Sequence, residues 1–483
     1  MDELIYIDTT IRDGQMSLWA TGMRTDMIVP IAGTMDEAGF DAMEIMSTGF
    51  EKKLVRDLRE DYWERLSRVR ERVMKTPLRI IRGQFLASFQ ITPRSIERLW
   101  YERIAAHGVR QVRISNSSNT AEGWRSNVEL CRSVGIDPIV NLIYAISPKH
   151  TDDYYAQKAR DAARLKPFRI CLKDPGGLLT PDRTRTLVPA VLKNAGGITV
   201  EFHTHCHTGL GPLCCLEAIK LGIRHVNTAI PPLADSISNP SVLNVASNAR
   251  ALGYTSRLDE DAIKEVEKHF RAIAERERLP VGAPAAYDAF QYVHQVPGGM
   301  ISNLRFQLTN AGLGHRMPEV LEEIGRVRED LGYPIMVTPY SQYVGVQATM
   351  NVVSGERYKG VSDELIQYAL GHWGAEEASS ILPDVKDRIL NRPRARELAK
   401  WHPPEPSLKE VREQHGGAGV SDEEMLLRYL TGADQVAAMR ASGNRPRSDE
   451  SFASVIERLV RSTKSRHIHV EKNGMKLTLK SGS

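Results

Sequence analysis

Residues 199–209 read TVEFHTHCHTG and set His203, His205 and His207 at every second position. Side chains two apart on a strand share a face, so the three rings converge, and neutral imidazole is the commonest protein ligand for divalent transition metals. Other chemistry-bearing residues stand at the ends of further β-rich runs: Arg12 and Asp13 after LIYIDTT, Arg82 in RIIRGQF, Lys173 and Asp174 closing FRICLKD. One carboxylate and two imidazoles make a site for a divalent cation that keeps open positions. Each residue also has a plainer reading. Asp13 suits a turn acid or an ion pair with Arg12 as well as it suits a ligand, and Arg82 suits an ion pair at a strand end. His207 lies past the expected strand end, where it shapes a pocket rather than binds metal. Lys173 is the odd member, because an ammonium repels a cation beside it. It must be neutral, engaged as a Schiff base, or carboxylated to a carbamate that supplies an oxygen ligand, and desolvation favours all three by lowering its pKa.

The elements that must position these residues repeat evenly. Short apolar runs at 4–10, 41–47, 79–85, 111–117, 138–145, 168–174, 199–205 and 225–230 alternate with amphipathic segments such as RSIERLWYERIAAHG and GPLCCLEAIKLGI, several closed by glycine. Eight strands, each followed by a helix, predict a (β/α)8 TIM barrel over 1–257, with substrate-facing residues at the C-terminal strand ends. An open doubly wound sheet is the alternative; the even spacing and the lack of a glycine-rich dinucleotide loop weigh against it. From 258 to 431 the pattern turns to long helices, a second, mainly helical domain. Residues 432–450 read as a linker, and 451–483 as a helix, FASVIERLVRST, with a hairpin turning at Asn473-Gly474.

Composition excludes several classes of function. The 483 residues are 41% hydrophobic and 26% charged, with a formal net charge of +4 spread among interspersed Lys, Arg, Asp and Glu. That pattern asks for neither nucleic acid nor an anionic membrane. No run reaches the about 18 apolar residues of a membrane span, and MDELIYIDTT enters a strand directly, so the expectation is a cytoplasmic protein without a membrane span. Cys131, Cys171, Cys206, Cys214 and Cys215 show no C-x-x-C pattern and read as reduced core thiols, with Cys206 the best placed of them for a reactive role.

Taken together, DTTIRDGQMSLWATGMRT (8–25), IIRGQF (80–85), CLKDPGGLLTP (171–181), HTHCHTGL (203–210), HQVPGGMISNL (294–304) and VTPYSQYVGVQATMNVVSGERY (337–358) resemble one family. It is the carboxyltransferase component of biotin-dependent 2-oxo-acid carboxylases and decarboxylases, which includes the pyruvate carboxylase carboxyltransferase domain, the oxaloacetate decarboxylase alpha subunit and the transcarboxylase 5S subunit. The likeness runs in order over about residues 3–375. It implies a metal-dependent barrel followed by a helical funnel domain. It also implies that Asp13, His203, His205 and a carbamylated Lys173 hold the metal, and that Arg12, Lys173 and Arg82 are catalytic. Arg82 would bind the substrate carboxylate, and Gln15, Met16, Asn116 and Ile237 would line the substrate site. The implied ion is zinc, manganese or cobalt, acting as a Lewis acid on a 2-oxo acid so that an enolate exchanges CO2 with carboxybiotin.

Against the family pattern, Met16 replaces a glutamine, Asn116 an acid, Phe89-Gln90 a tyrosine-arginine pair, His207 a threonine and Ile237 the threonine that shuttles a proton. Ser236 and Ser238 flank Ile237 and serve in its place only if the loop shifts. These changes predict an acceptor other than pyruvate, bulkier or less polar. Lys476 lies in G-M-K-L seven residues from the end of the chain, so biotin is expected on a separate biotin carboxyl carrier protein, with a separate biotin carboxylase subunit. The 451–483 tail would dock these partners, and a homodimer within a larger complex is the family expectation. The same barrel motifs also resemble a biotin-independent lyase of the 3-hydroxy-3-methylglutaryl-CoA lyase and isopropylmalate synthase group. Lys173 in L-K-D and the PGGM and TP-x-SQ motifs weigh against that reading and, with the ligand set intact, against a non-catalytic scaffold.

Overall fold

The structure, a computed structural model, describes residues 2–86 and 91–443 and two further strands, His467–Lys472 and Met475–Lys480. Eight strands form the centre: β1 Glu3–Asp8, β2 Ala42–Ser47, β3 Leu78–Arg82, β4 Val109–Ile114, β5 Asp137–Ile143, β6 Arg169–Asp174, β7 Val200–Thr204 and β8 His225–Thr228. Each pairs in parallel with the next, and β1 pairs with both β2 and β8, closing the sheet into the expected (β/α)8 barrel. A two-residue strand, β9 Thr255–Ser256, adds to the start of β1. Strands such as RICLKD are buried along their whole length, as parallel strands covered by helices must be.

Helices begin where a capping residue turns the chain out of a mouth loop. Thr120, Thr151 and Thr180 accept from the backbone N–H groups of Gly123, Tyr154 and Arg183, opening helices Ala121–Ser133, Asp152–Arg164 and Pro181–Asn194. All eight expected strands are present, but several end two or three residues early: β1 stops at Asp8, β3 at Arg82 and β4 at Ile114. The apolar runs continue there because the mouth loops are themselves buried. After β1 the chain winds into one π-helical turn, Thr10–Gly14, every residue of which is buried. Such turns recur at functional sites.

The barrel interior is charged. Arg79 bridges to Glu201 at 2.8 Å, while Arg113 and Arg12 reach Glu44 at 3.1 and 2.6 Å, all at 2% exposure or less. These are buried pairs whose partners satisfy one another, in place of the aliphatic layers usual in such barrels.

Packing divides the chain at other points than the expected 257/258 boundary. Helix Glu260–Glu277 contributes Ile263, Val266, Phe270 and Ile273 to the barrel's own core. A second core runs from Val296 to Leu398 around Val320, Ile324, Val327, Tyr340 and Tyr343. The chain then returns, and Val411, Met425, Leu426, Leu430, Val436 and Met439 rejoin the first core. The linker reading of 432–450 is thereby corrected: Ala433–Ala441 is a helix anchored by Val436 and Met439, and 444–450 lie outside the described residues. The second core leans on the barrel mouth, where Ile335 packs against Ile143 and Ala145, and Ser117 Oγ donates to Thr338 O at 3.1 Å.

In the tail, β10 His467–Lys472 and β11 Met475–Lys480 pair antiparallel as expected. The helix FASVIERLVRST and the turn at Asn473-Gly474 lie outside the described residues. All five cysteines are buried and free. Among the described residues no helix is long and apolar enough to cross a membrane.

Candidate metal centre and active site

The π-helical turn after β1 carries Asp13 inward over the barrel, where β7 delivers His203 and, one residue past its end, His205. Asp13 Oδ2 lies 3.2 Å from His203 Nε2 and 3.3 Å from His205 Nε2. One donor atom from each of the three residues lies within 4.8 Å of the others, and all three residues are buried. Neighbouring groups set the rings. His205 Nδ1 is 2.8 Å from the carbonyl of Ile237, which accepts from its N–H and leaves the Nε2 lone pair facing Asp13. His203 Nδ1 stands 3.2 Å from Asn227 Oδ1 and 3.0 Å from Arg113 Nη1, and Arg113 Nη1 donates to the same Asn227 oxygen at 2.7 Å. Asn239 completes the floor, donating to Thr204 O at 2.8 Å and accepting from Thr9 Oγ1 at 2.8 Å. A carboxylate and two imidazoles with their outer nitrogens occupied are a donor set that fits a divalent cation.

Electrostatics keep Asp13 and His203 in the ligating form. Burial alone would raise the Asp13 carboxyl, but the charge of Arg12, whose Nη2 lies 2.7 Å away, opposes it, and the carboxyl is held well below the usual range. Burial and then the Arg113 charge push His203 well down, so it stays neutral. Lys173, 8% exposed, has no carboxylate within 4.0 Å among the described residues; burial, then Arg113 and Arg12, lower it to about 8. The free amine, the form that takes up CO2, is therefore more accessible at mildly basic pH than for an exposed lysine. Its neighbour Asp174 is turned away, accepting from Leu178 N, Leu179 N and Thr204 Oγ1 at 2.9 to 3.0 Å, and so holds the K-D-P-G-G loop in shape.

Other sequence-predicted residues stand apart from the cluster. On β3, Arg79 faces the barrel interior, so Arg82, three positions on, faces outward. There it pairs with Glu97 of helix Arg94–Ala106 and donates to Gly83 O, fully buried. The ion-pair reading of Arg82 describes this position. Gln15 is buried with Oε1 accepting from Met23 N at 3.3 Å, and Met16 packs on the barrel core. Asn116 uses its side-chain oxygen locally, on Ser118 N and Oγ. Ile237 reaches the cluster through its backbone carbonyl. Both flanking serines have other partners: Ser236 Oγ donates to Ala283 O and accepts from Ala283 N, and Ser238 Oγ donates to Leu233 O. His207 stacks near His205, with ring centroids 5.4 Å apart, and burial pushes it down to about 3. Cys206 is buried, its thiol well above the ordinary value, first through burial. Phe89 and Gln90 lie outside the described residues.

The residues that sequence reasoning missed are Glu44, Arg113, Asn227 and Asn239. For the first three the signal was present: single polar or charged residues interrupt DAMEIMS, QVRIS and HVNTAI, and a strand sheathed by helices tolerates these only where they point into the barrel.

Comparisons with known proteins agree with this fold. Residues 292–469 match a family model described as "Conserved carboxylase domain". A pyruvate carboxylase subunit of Methanocaldococcus jannaschii is 36% identical over 430 residues, 88% of this chain and 75% of that protein. The 2-oxoglutarate carboxylase large subunit of Hydrogenobacter thermophilus is 30% identical over 390 residues, 80% of this chain and 60% of that one. The carboxyl transferase domain of Rhizobium etli pyruvate carboxylase, solved with oxamate and biotin, superposes with a TM-score of 0.82 at 25% identity, covering 92% of this chain and 78% of its own. With relatives of this identity and coverage, a closed parallel barrel and a buried Asp-His-His cluster at its mouth, the chain belongs to the carboxyltransferase family of biotin-dependent 2-oxo-acid carboxylases and decarboxylases, and is an enzyme of that family.

Proposed function

We propose that this chain moves a carboxyl group between carboxybiotin, borne by a separate carrier protein, and a small 2-oxo-acid acceptor. The observation that carries this reading is the convergence of Asp13, His203 and His205 at the mouth of the barrel, in a chain whose relatives are named carboxylase subunits. In this reading Asp13, His203, His205 and a carbamylated Lys173 hold a divalent cation, zinc, manganese or cobalt. Once bound, that ion supplies Lewis acidity toward the acceptor's carbonyl oxygen. Biotin carries the transferred group.

The chain's own residues orient and exclude water. Arg12 clamps Asp13 against Glu44. Asn227 and the Ile237 carbonyl aim the two rings. Gln15, Met16, Asn116 and Ile237 shape the acceptor's surroundings. Arg82 reaches an acceptor carboxylate only by exchanging Glu97, so we assign it to the wall of the barrel rather than to first contact with substrate. With an isoleucine at 237 and both serines committed elsewhere, the proton route differs from a threonine shuttle, which supports an acceptor other than pyruvate, such as a longer 2-oxo acid. We place the enzyme in the cytoplasm, as a homodimer within a complex that includes a biotin carboxyl carrier protein and a biotin carboxylase subunit.

The test is purification of the tagged protein from its native host, with co-purifying chains identified by mass spectrometry and metal by plasma emission. About one metal per chain together with a biotinylated carrier is the expected result. Recovery of the chain alone with its metal, active on an acyl-CoA or hydroxy acid without biotin, would overturn the reading.

A further inference from the structure

Seven arginines are buried among the described residues, and six have a carboxylate partner. Arg12 and Arg113 pair with Glu44, Arg65 with Glu60, Arg79 with Glu201, Arg82 with Glu97 and Arg169 with Asp41. Arg328 is the seventh. It is 3% exposed, and among the described residues no carboxylate lies within 4.0 Å of it. Its hydrogen bonds run to two backbone carbonyls, from Nε to Pro334 O at 3.5 Å and from Nη2 to Ile146 O at 3.3 Å, while Nη1 donates to no described group. Both bonds are long for a charged donor. The cost of burying a guanidinium without a counter-ion is several kcal/mol in order of magnitude, and two weak carbonyl contacts that a neutral donor would make as well do not offset it. Burial pushes Arg328 down to about 10, and the groups that pull it back up are the phenols Tyr333 and Tyr155, not a carboxylate. Among the described residues the one other buried cation in this condition is Lys173, a residue of the active site.

Position adds to the case. Arg328 lies in the last turn of helix Met317–Asp330, in the second core. Ile146, its partner, sits three residues past β5, in the mouth loop whose Tyr144 N–H donates to Lys173 O at 2.7 Å. Gln295 braces the same loop, accepting from Ile146 N at 3.1 Å and donating to Ile146 O at 2.9 Å. The guanidinium therefore stands at the seam between barrel mouth and second core. The titratable groups around it are His150 and His294, both held neutral first by burial and further by this charge, and the two phenols.

We propose that Arg328 is a carboxylate-binding residue of the active-site mouth, completed by the acceptor's own carboxylate as the counter-ion that the chain omits. The planar fork of an arginine matches a carboxylate two-pronged, and Arg82 is already taken by Glu97. The inference rests on the 2-oxo-acid reading above for the identity of the carboxylate, but not for the existence of the anion site.

The experiment uses the full-length, metal-loaded protein as wild type, Arg328→Gln and Arg328→Lys. Thermal unfolding is followed without ligand and with millimolar pyruvate or 2-oxoglutarate, and acceptor KM and kcat are measured separately. Arg328→Gln is expected to melt no lower than wild type without ligand, because an uncompensated charge has been removed, and to lose the carboxylate-induced rise. Its acceptor KM rises about tenfold or more with a smaller change in kcat, and Arg328→Lys recovers part of the response. A larger loss with 2-oxoglutarate than with pyruvate places Arg328 at the distal carboxylate, and an equal loss places it at the carboxylate beside the carbonyl. A variant that keeps the full carboxylate response, or a wild type that shows none, overturns the proposal. If biotin-dependent transfer is absent but the carboxylate response still depends on Arg328, the functional reading fails and this one stands.

Discussion

At Asp13 burial and charge pull in opposite directions, and charge wins: Arg12 keeps it a carboxylate where desolvation would neutralise it. His205 is aimed by a carbonyl and His203 by Asn227, so the rings depend on groups that do not themselves face a cation. Asn227→Ala is expected to weaken metal binding by about 10- to 100-fold while leaving the fold intact, as read by metal titration beside circular dichroism. A second residue, outside the cluster, gives a pH test. Glu51, 1% exposed, is raised from 4.5 to about 7, first by burial. The folded state therefore holds this proton more tightly than the unfolded one. Its contribution to stability is full below about pH 4.5 and is lost as pH rises through about 7. Glu51→Gln should match wild type near pH 4.5 and exceed it by up to ~3 kcal/mol at pH 8 in denaturant titrations. A constant offset between the two proteins across that range contradicts the assignment. At this scale the sequence was half legible. The H-x-H spacing and the R-D pair named the cluster, but Asn239, in the loop after β8, acts only through a geometry that spacing does not reveal.

The strands carry a second message besides alternation. Glu44, Arg79, Arg113 and Glu201 come from four different strands and meet inside the barrel. Removing one partner leaves the others buried and unpaired, so Glu44→Gln is expected to cost about 3–5 kcal/mol in equilibrium unfolding and to loosen Arg12 and Arg113 behind the metal ligands. A cost below about 1 kcal/mol would show that water screens this network. All eight strands were readable from apolar runs, because burial on both faces makes such runs long. Their ends were not, because the mouth loops are as buried as the strands, and the π-helical turn at Thr10–Gly14 carries no compositional mark of its own. Arg82 shows what register decides: it shares β3 with Arg79 at a spacing of three, so the two cannot face the same side, and pairing with Glu97 follows from that parity.

Over the whole molecule, the chain leaves the barrel to build a second core between Val296 and Leu398, then returns to pack Val411 to Met439 on the first. The linear pattern showed long helices but not which core they join, since an amphipathic face does not name its partner. The Asp13-His203-His205 cluster draws on the turn after β1 and on β7, two segments far apart in sequence, so a cation held there would brace the barrel. Chelation should lower the melting temperature, and readdition of zinc, manganese or cobalt at a hundredfold excess over its dissociation constant should restore about 2.7 kcal/mol; the ion that also restores activity is the resident one. The most direct test of the central claim is single-turnover transfer from a carboxylated biotin carrier to a panel of 2-oxo acids, using wild type and Asp13→Asn with metal content determined in parallel. Carrier-dependent formation of a carboxylated 2-oxo acid by the wild type, lost in Asp13→Asn together with the metal, is the predicted result. Transfer that persists undiminished in a metal-free Asp13→Asn protein, or wild-type turnover that ignores the carrier, would contradict it.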